Sequence, residues 1–523
     1  MFTALCVALY YVIPKKYRWI VLLCASTGFY AIVCLKYISF IIITVLSTFF
    51  GGLALEKYIK TSTQYIKSQK GIWSKEEKDK FKAKAARNKK LICAAVLLFN
   101  FGILAFLKYY GMFAQTANLA LQYLGWEMPK LGLILPLGIS FYTFQSMGYI
   151  IDIYRKKYAA ERNIAKFALF VSFYPQIVQG PISMYSNLAP QLYGGNRFNF
   201  DNIKQGMLMI AWGFFKKLII ADRLVIAIST VTADYTKYNG SAILLAALIY
   251  AVQLYADFSG GIDISRGVAQ LFGINLAENF KRPYFSRSIS EYWRRWHITL
   301  GAWLREYLFY PIAMSKAFQK FGKSVKKRFG MQMGKVLPVG VASLITFVTI
   351  GVWHGAAWKY VAFGLWNGII IMISTLLEPQ FKTVKQKLHI KDTNILFIAF
   401  QMVRTFIIVL VGYYFDIAEG ATAAVHMMYW SVAGFDASKL FSEGMLKTLH
   451  LTLSDVIVAA VALLIVLIVS IVQERSKEPL RQKICKHNFV LQTAAFAFLV
   501  FATLIFGVYG PGTNPADFVY MQF

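Results

Sequence analysis

Long apolar segments alternate with short polar stretches along the whole 523-residue chain. About eleven to thirteen of these segments approach the ~20 residues that a helix needs to cross a bilayer, although several are short or interrupted by Gly or Pro. None shows the period-two alternation that is typical of a membrane β-strand. The pattern therefore predicts an all-α bundle of transmembrane or re-entrant helices.

Composition supports this prediction and limits the kinds of partner that the chain is expected to have. Hydrophobic residues make up 57% of the chain and charged residues 15%, a balance too apolar for a water-soluble protein of this length. The net charge of +31 would suit nucleic acid, but the Lys and Arg residues fall mainly between the apolar segments. The positive-inside bias explains this distribution, so we expect the lipid bilayer, and no nucleic acid, as the partner.

The basic residues concentrate in three segments, which are expected to be loops and which the same bias places in the cytoplasm: 57–90, 316–335 and 475–486. Within the first of them, residues 74–90 are expected to form a charged surface helix. We expect one membrane-embedded domain over 1–523. It is divided into N-terminal helices (1–56), a basic cytoplasmic loop (57–90), a catalytic core (91–415), an external loop (416–452) and C-terminal helices (453–523).

Residues 281–311 interrupt the apolar pattern with a histidine, several arginines and aromatic rings. Ser288 followed by Glu291 fits a capping box, which predicts that a helix begins there. Three- and four-residue steps on that helix would give one shared face to Trp293, Trp296, His297, Leu300, Leu304 and Tyr307. Three arginines would point elsewhere, toward lipid headgroups, a carboxylate or a phosphate-bearing ligand: Arg294, Arg295 and Arg305.

A second histidine, His354, lies between two apolar segments. A neutral imidazole is tolerated at membrane depth and can take and return a proton near neutral pH. Gly351 and Gly355 would let a substrate approach the backbone, and Trp353 and Trp358 could form a tunnel wall. The structural alternatives are a helix-packing histidine for His354 and an interfacial residue in an aromatic belt for His297.

Other chemistries find little support in the sequence. The signatures of classical hydrolases, zinc proteases and nucleotide-binding loops are absent from any usable context, and no metal site is expected. Asp257 and Asp263 lie near membrane depth beside paired glycines. They are expected to be hydrogen-bonded residues of a tunnel wall, although a transporter would use such carboxylates as ion ligands.

Four motifs resemble one known family. They are FYPQIVQGPIS at 173–183, the YWRRWH-containing segment at 254–312, GVWHGAAWKYVAFGLWNG at 351–368 and YGPGTNPADFVYMQF at 509–523. In this order they are similar to the membrane-bound O-acyltransferase (MBOAT) family, and within it to the bacterial alginate O-acetyltransferase branch. The sequence departs from the pattern of that branch at Trp366-Asn367 and Ser183-Met184.

The resemblance implies a helical bundle with a tunnel or funnel through the membrane core. It maps the two functional histidines of the family onto His354 and His297. His354 is expected to be a general base or a transient acyl carrier, while His297 orients the acceptor or shares the proton. The remaining residues expected to line the tunnel or contact substrate are Trp353, Gly355, Trp358, Asp257, Ser259, Asn279, Trp293, Arg294, Arg295, Trp296 and Arg305.

The function implied is transfer of an acetyl group from acetyl-CoA or another cytoplasmic thioester across the cytoplasmic membrane, with no permanently bound cofactor. A separate extracytoplasmic transferase of the SGNH type is the expected partner, and an exported polysaccharide is the expected acceptor. Four alternatives stay open: a D-alanyl transferase, a lipid O-acyltransferase, a glycan or lipid transporter, and a scaffold for an exopolysaccharide machine.

Overall fold

The computed structural model describes residues 1–440 and 442–509, and every regular element within these ranges is helical. Eight of the described helices are long and apolar enough to span a membrane. The predicted all-α polytopic fold is therefore confirmed. Residues 510–523, which hold most of the C-terminal motif, lie outside the described residues.

Eight spans are fewer than the eleven to thirteen segments expected. Several apolar segments form helices that are shorter than a bilayer crossing, such as Phe2–Val12 and Ile164–Ile177. Two other segments belong to a single helical stretch, Lys15–Ser68, which is joined by a short 3-10 turn at Leu35–Tyr37. Hydropathy alone does not separate such short or joined helices from independent spans.

The described chain divides into two compact units, and the first comprises residues 1–206 and 268–277. Its interior is built from aromatic side chains, with Tyr149 and Phe167 packed at a centroid distance of 4.7 Å. Its helices are α1 (Phe2–Val12), α2 (Arg18–Cys34), α3 (Ile38–Ser68), α4 (Lys75–Leu121), α5 (Ile139–Tyr154), α6 (Ile164–Ser172), α7 (Tyr174–Ile177), α8 (Tyr185–Tyr193) and the start of α9 (Phe200–Phe214).

The basic segment 57–90, expected as a loop with a surface helix at 74–90, is mostly helical, and the helix expected at 74–90 is confirmed as the start of α4. Helix α3 continues to Ser68 and α4 begins at Lys75. Ser74 and Glu77 form a complete capping box, in which the backbone N–H of each residue donates to the side chain of the other. Lys, Glu and Ala are strong helix formers, so a helix can continue after it leaves the lipid. The change in polarity therefore does not mark the end of the helix.

The second unit comprises residues 207–267 and 278–523. Two π-helical turns, Phe215–Ala221 and Arg305–Phe309, interrupt its helices. After the end of α9 its helices are α10 (Asp222–Ala233), α11 (Gly240–Leu271, whose last residues lie in the first unit), α12 (Ile289–Arg295), α13 (Ile298–Leu304), α14 (Tyr310–Ala313), α15 (Lys316–His354), α16 (Trp358–Leu376), α17 (Glu378–Lys387), α18 (Ile395–Ile417), α19 (Ala421–Ala433), α20 (Ala437–Leu440), α21 (Glu443–Thr448), α22 (Leu453–Arg475), α23 (Leu480–Lys486) and α24 (Phe489–Phe506).

Two more segments expected as loops contain helices. The basic segment 316–335 is the first part of α15, which bends at Gly330, where the backbone has a φ of 86° that glycine adopts easily. The segment 416–452, expected as an external loop, contains α19, α20 and α21. A prediction that is based on long apolar runs misses short helices of this kind.

Helices α15 and α16 pack closely at the end of α15 that carries His354. A Cβ atom at Gly351 would lie 3.0 Å from the Cα atom of Gly364 and would overlap the carbonyl oxygen of Tyr360. The missing side chain at residue 351 therefore lets the two backbones meet just before His354.

Replacing Gly351 with alanine is expected to destabilise the protein by about 1–3 kcal/mol, because an extra methyl group in a packed interior forces the backbones apart. The midpoint of thermal unfolding in detergent measures this loss. Gly111→Ala in α4 is the control, since no described atom lies within 4 Å of its Cβ position. Equal midpoints for the two variants would contradict the prediction.

Candidate active site

Residues 281–311, which include His297, contain a helix, α12. It starts where the sequence predicts and ends earlier than predicted. Ser288 caps α12 by accepting a hydrogen bond from the backbone N–H of Glu291 at 3.2 Å. The helix ends at Arg295, because Trp296 is extended and pairs with Phe280. His297 then adopts a left-handed backbone with a φ of 45° and begins α13. The predicted continuous face from Trp293 to Tyr307 is therefore wrong.

His297 is held by a small polar cluster. Its side chain is almost fully buried, and its Nδ1 atom lies 3.2 Å from Oδ1 of Asn279. The backbone N–H and the hydroxyl of Thr299 donate to the same oxygen at 2.9 Å each. The ring of Phe258 packs against the imidazole at right angles, with 4.9 Å between centroids. These contacts fix the position and the rotation of the imidazole.

His354 is the last residue of α15, and the structure brings it close to His297. The buried indole of Trp353 contacts both imidazoles, with centroid distances of 5.8 Å to His297 and 5.3 Å to His354. Both imidazoles thus contact one indole, and positive charges on two rings that share a neighbour would repel each other. Such a pair is suited to holding one proton at a time.

His354 lines a cavity of about 20 Å³, which we call the small cavity. This volume admits about one water molecule. Hydrogen bonds order its wall: Trp293 Nε1 donates to Oδ1 of Asn367 at 3.0 Å, and the hydroxyls of Tyr292 and Tyr413 lie 2.7 Å apart. The full lining is Leu254, Phe258, Tyr292, Trp293, Trp296, His354, Phe363, Asn367, Val409, Tyr413 and Asp416.

A second cavity in the same unit, the large cavity, has a volume of about 590 Å³. Its charged lining is mostly basic, with Lys216, Arg266, Lys281, Arg282, Lys477 and Arg481 against Asp263 and Glu278. Arg481 and Lys477 belong to the basic segment 475–486, whose location in the cytoplasm stays a prediction from its charge. The composition of this wall suits an anionic ligand.

His297 contacts one residue from each cavity wall. Phe258, which packs on its ring, lines the small cavity, and Asn279, which bonds its Nδ1 atom, lines the large cavity. The next residue after Phe258, Ser259, also lines the large cavity. The imidazole pair thus lies where the two cavities approach each other, and it is placed to move a proton between groups bound on either side.

The other predicted site residues have different surroundings. Arg294, Arg305 and Trp358 are exposed, whereas Arg295 pairs with Glu291 at 2.8 Å and with Glu474 at 2.9 Å. That these four side chains contact substrate stays a prediction.

Two further predicted site residues have close contacts within the protein. A Cβ atom at Gly355 would overlap the ring of Tyr360, so this glycine makes room for a neighbouring side chain. Asp257 is fully buried and paired with Lys217 at 2.5 Å. That Gly355 lets a substrate approach and that Asp257 lies on a tunnel wall stay predictions.

Sequence reasoning missed several residues of these walls, including Asp416, Asn367, Arg481 and Lys216. A signal for Lys216 was present, since two consecutive lysines interrupt the apolar segment 205–221. Its ammonium group donates to Ser259 and to Asp263 at 2.8 Å each. Among the described residues, no group of three His, Cys, Asp or Glu side chains is arranged to hold a metal ion.

Comparison with known proteins places this site in a family. A model of the membrane-bound O-acyltransferase family matches residues 155–415, a range that contains both histidines. The chain is 32% identical to the "Probable alginate O-acetylase AlgI" of Pseudomonas putida, with 82% of this chain and 77% of the relative covered.

Two other relatives are covered over a smaller share of their own length. The protein of the same name from Pseudomonas syringae is 34% identical, over 71% of this chain and 64% of the relative. The "Peptidoglycan O-acetyltransferase" of Helicobacter pylori is 30% identical, over 68% and 63%. The chain thus spans somewhat less than two thirds of these two proteins. On the family match and the extent of these similarities, the chain belongs to the membrane-bound O-acyltransferase family and is a multi-pass membrane O-acyltransferase.

Proposed function

We propose that this enzyme takes an acetyl group from a cytoplasmic thioester such as acetyl-CoA and passes it across the cytoplasmic membrane. The acetyl group then reaches an exported or cell-surface polysaccharide, and an extracytoplasmic SGNH-type transferase completes the modification. Relatives named for the O-acetylation of alginate and of peptidoglycan support this direction. The observation that carries the proposal is the pair of imidazoles at the approach of two cavities with different lining.

The large cavity is the proposed site of the donor. Coenzyme A carries several phosphate charges, and the six basic side chains of this cavity outnumber its two acidic ones. Arg481 is the sharpest candidate contact, because its Nε atom is buried and has no hydrogen-bond partner among the described residues. A phosphate oxygen would satisfy such a donor.

The small cavity is the proposed site of the acceptor hydroxyl. In the transfer step the hydroxyl gives its proton to His354 while its oxygen bonds to the carbonyl carbon of the thioester, and the carbonyl π electrons move to the carbonyl oxygen. Collapse of this tetrahedral species breaks the C–S bond. The departing thiolate takes the proton back from the imidazole pair, leaving a thiol and an ester.

The names of the relatives favour an acetyl group. Two of them are named for O-acetylation, of alginate and of peptidoglycan. The acetyl transfer proposed here is therefore favoured over lipid acylation. Relatives named teichoic acid D-alanyltransferase, such as the protein of Bacillus subtilis at 28% identity, keep D-alanyl transfer as the second candidate.

Membrane vesicles from cells that express the protein, supplied with acetyl-CoA radiolabelled in the acetyl group, test this proposal. Thioester consumption that depends on the protein, together with label appearing as alkali-labile ester on exported glycan, is the expected result. A transporter would move a glycan or lipid without consuming thioester. Ester-linked D-alanine in place of acetate would overturn the proposed acyl group.

Replacing Arg481 with glutamine is expected to raise the KM for acetyl-CoA by about 10- to 100-fold, because a hydrogen bond to a charged group is lost. Initial rates of thioester consumption at varied acetyl-CoA measure the change. Lys391→Gln is the control, since Lys391 is an exposed cation outside both cavity walls. Equal KM values for the two variants would place the donor elsewhere.

A further inference from the structure

Asn279 has an amide whose orientation is fixed by its neighbours. Its oxygen accepts from the backbone N–H of Thr299 at 2.9 Å, and a backbone N–H can only donate. The atom at this position must therefore be the amide oxygen and not the amide nitrogen. The hydroxyl of Thr299 donates to the same oxygen at 2.9 Å.

This orientation determines the tautomer of His297. Nδ1 of the imidazole lies 3.2 Å from the same amide oxygen, which can only accept, so Nδ1 must carry the hydrogen. In the neutral ring, the lone pair is then on Nε2. A proton that reaches His297 from His354 or from a substrate can thus be accepted at Nε2 alone.

The amide nitrogen of Asn279 is the unusual part of this arrangement. The side chain is fully buried, and Nδ2 has no hydrogen-bond partner among the described residues. Buried amide groups are nearly always paired, because losing water without gaining a partner is unfavourable. Asn279 lines the large cavity, so an acceptor oxygen of a ligand in that cavity is the natural partner of this NH2 group.

We propose that Asn279 acts from both ends of its amide: its oxygen holds His297 with the lone pair on Nε2, and its NH2 group donates to the carbonyl oxygen of the acyl group in the large cavity. This inference rests on the proposed acyl transfer. As the acceptor oxygen bonds to the carbonyl carbon, the carbonyl oxygen gains negative charge, and the hydrogen bond from Asn279 becomes stronger. Collapse returns the charge to the carbonyl π bond and expels the thiolate.

Asn279→Asp separates the two roles, because a carboxylate keeps the acceptor oxygen for His297 and Thr299 but removes the NH2 donor. We expect it to lower kcat by about 100- to 1000-fold, the typical effect of losing one oxyanion donor. The KM for acetyl-CoA should change little. Nitrogen-15 NMR of histidine-labelled protein in nanodiscs should still show the hydrogen of His297 on Nδ1, with the signal assigned through the His297→Gln variant.

Asn279→Ala should lose both the oxygen that accepts from His297 and the NH2 donor. We therefore expect kcat to fall and the His297 signal to show a mixture of tautomers. Asn394→Asp is the matched control: it makes the same Asn→Asp change at an exposed helix cap outside both cavity walls, and both kcat and tautomer should resemble the parent protein. A parent protein with the hydrogen of His297 on Nε2 would overturn the positioning role. An unchanged kcat in Asn279→Asp would overturn the donor role.

The NMR measurement needs no substrate. If the parent protein transfers no acetyl group, the proposed function fails while the tautomer of His297 can still be read. If the parent protein is active and has the expected tautomer, but Asn279→Asp does not lower kcat, the donor role of Asn279 fails while the proposed function stands.

Discussion

Replacing His354 with alanine is expected to lower the rate of acetyl transfer by about 100- to 10,000-fold, the usual contribution of a positioned general base. The change should leave the amount of membrane-inserted protein unaltered, because His354 is the last residue of α15 and lines a cavity instead of filling the interior. Alkali-labile acetate on exported glycan measures the first effect. Immunoblotting of washed membranes measures the second.

The matched control is His487→Ala, which removes an exposed imidazole between α23 and α24. It should retain the activity of the parent protein. His297→Ala should lose activity as His354→Ala does, since the pair holds one shared proton in the proposed step. Parental acetylation by the His354 variant would remove its role as the base, and it would favour a scaffold over an enzyme that uses this site.

The sequence predicts the helices of this protein better than it predicts their ends. Apolar runs of bilayer length are unambiguous, as in α18 and α22. Segments such as 57–90 and 316–335 are polar but rich in helix-forming lysine, so the helix continues where hydropathy falls. Hydropathy indicates whether a segment lies in lipid or in water, but it does not determine whether the backbone of that segment is helical.

The two histidines could be found from the sequence because imidazoles are rare in apolar surroundings, but their arrangement could not. His297 lies at a break between α12 and α13 that depends on the bridge from Trp296 to Phe280, sixteen residues earlier in the chain. Local spacing predicts a continuous helix there. A tertiary contact overrides it and turns His297 toward Asn279 and not along the face shared with Trp293.

Two aspartates of α11, each paired with a lysine, argue against the transporter alternative. Asp263 accepts from Lys216 at 2.8 Å, and Asp257 accepts from Lys217 at 2.5 Å. Each carboxylate thus has a lysine as its counter-ion, and an ion ligand in a transport path would have to release that lysine first. Consecutive lysines reach both partners because the π-helical turn Phe215–Ala221 carries them.

Replacing Lys217 with methionine is expected to destabilise the second unit by about 3–5 kcal/mol, the typical effect of breaking a buried ion pair. Lys217 also contacts Asp222 at 2.8 Å, so its removal leaves two buried carboxylates without their shared cation. A net stability of about 5–15 kcal/mol makes such a loss visible as a lower yield of monodisperse protein. Thermal unfolding in detergent, followed by size-exclusion chromatography, measures it.

The physical cause can be isolated by removing the charges together. Lys217→Met combined with Asp257→Asn and Asp222→Asn leaves no buried carboxylate unpaired, so it should recover much of the lost stability, because a neutral replacement of a buried ion cluster is often tolerated. Lys382→Met breaks an exposed pair with Glu378 and should change stability by at most ~1 kcal/mol. If the triple variant is no more stable than Lys217→Met, the loss comes from packing of the lysine stem and not from the unpaired carboxylates.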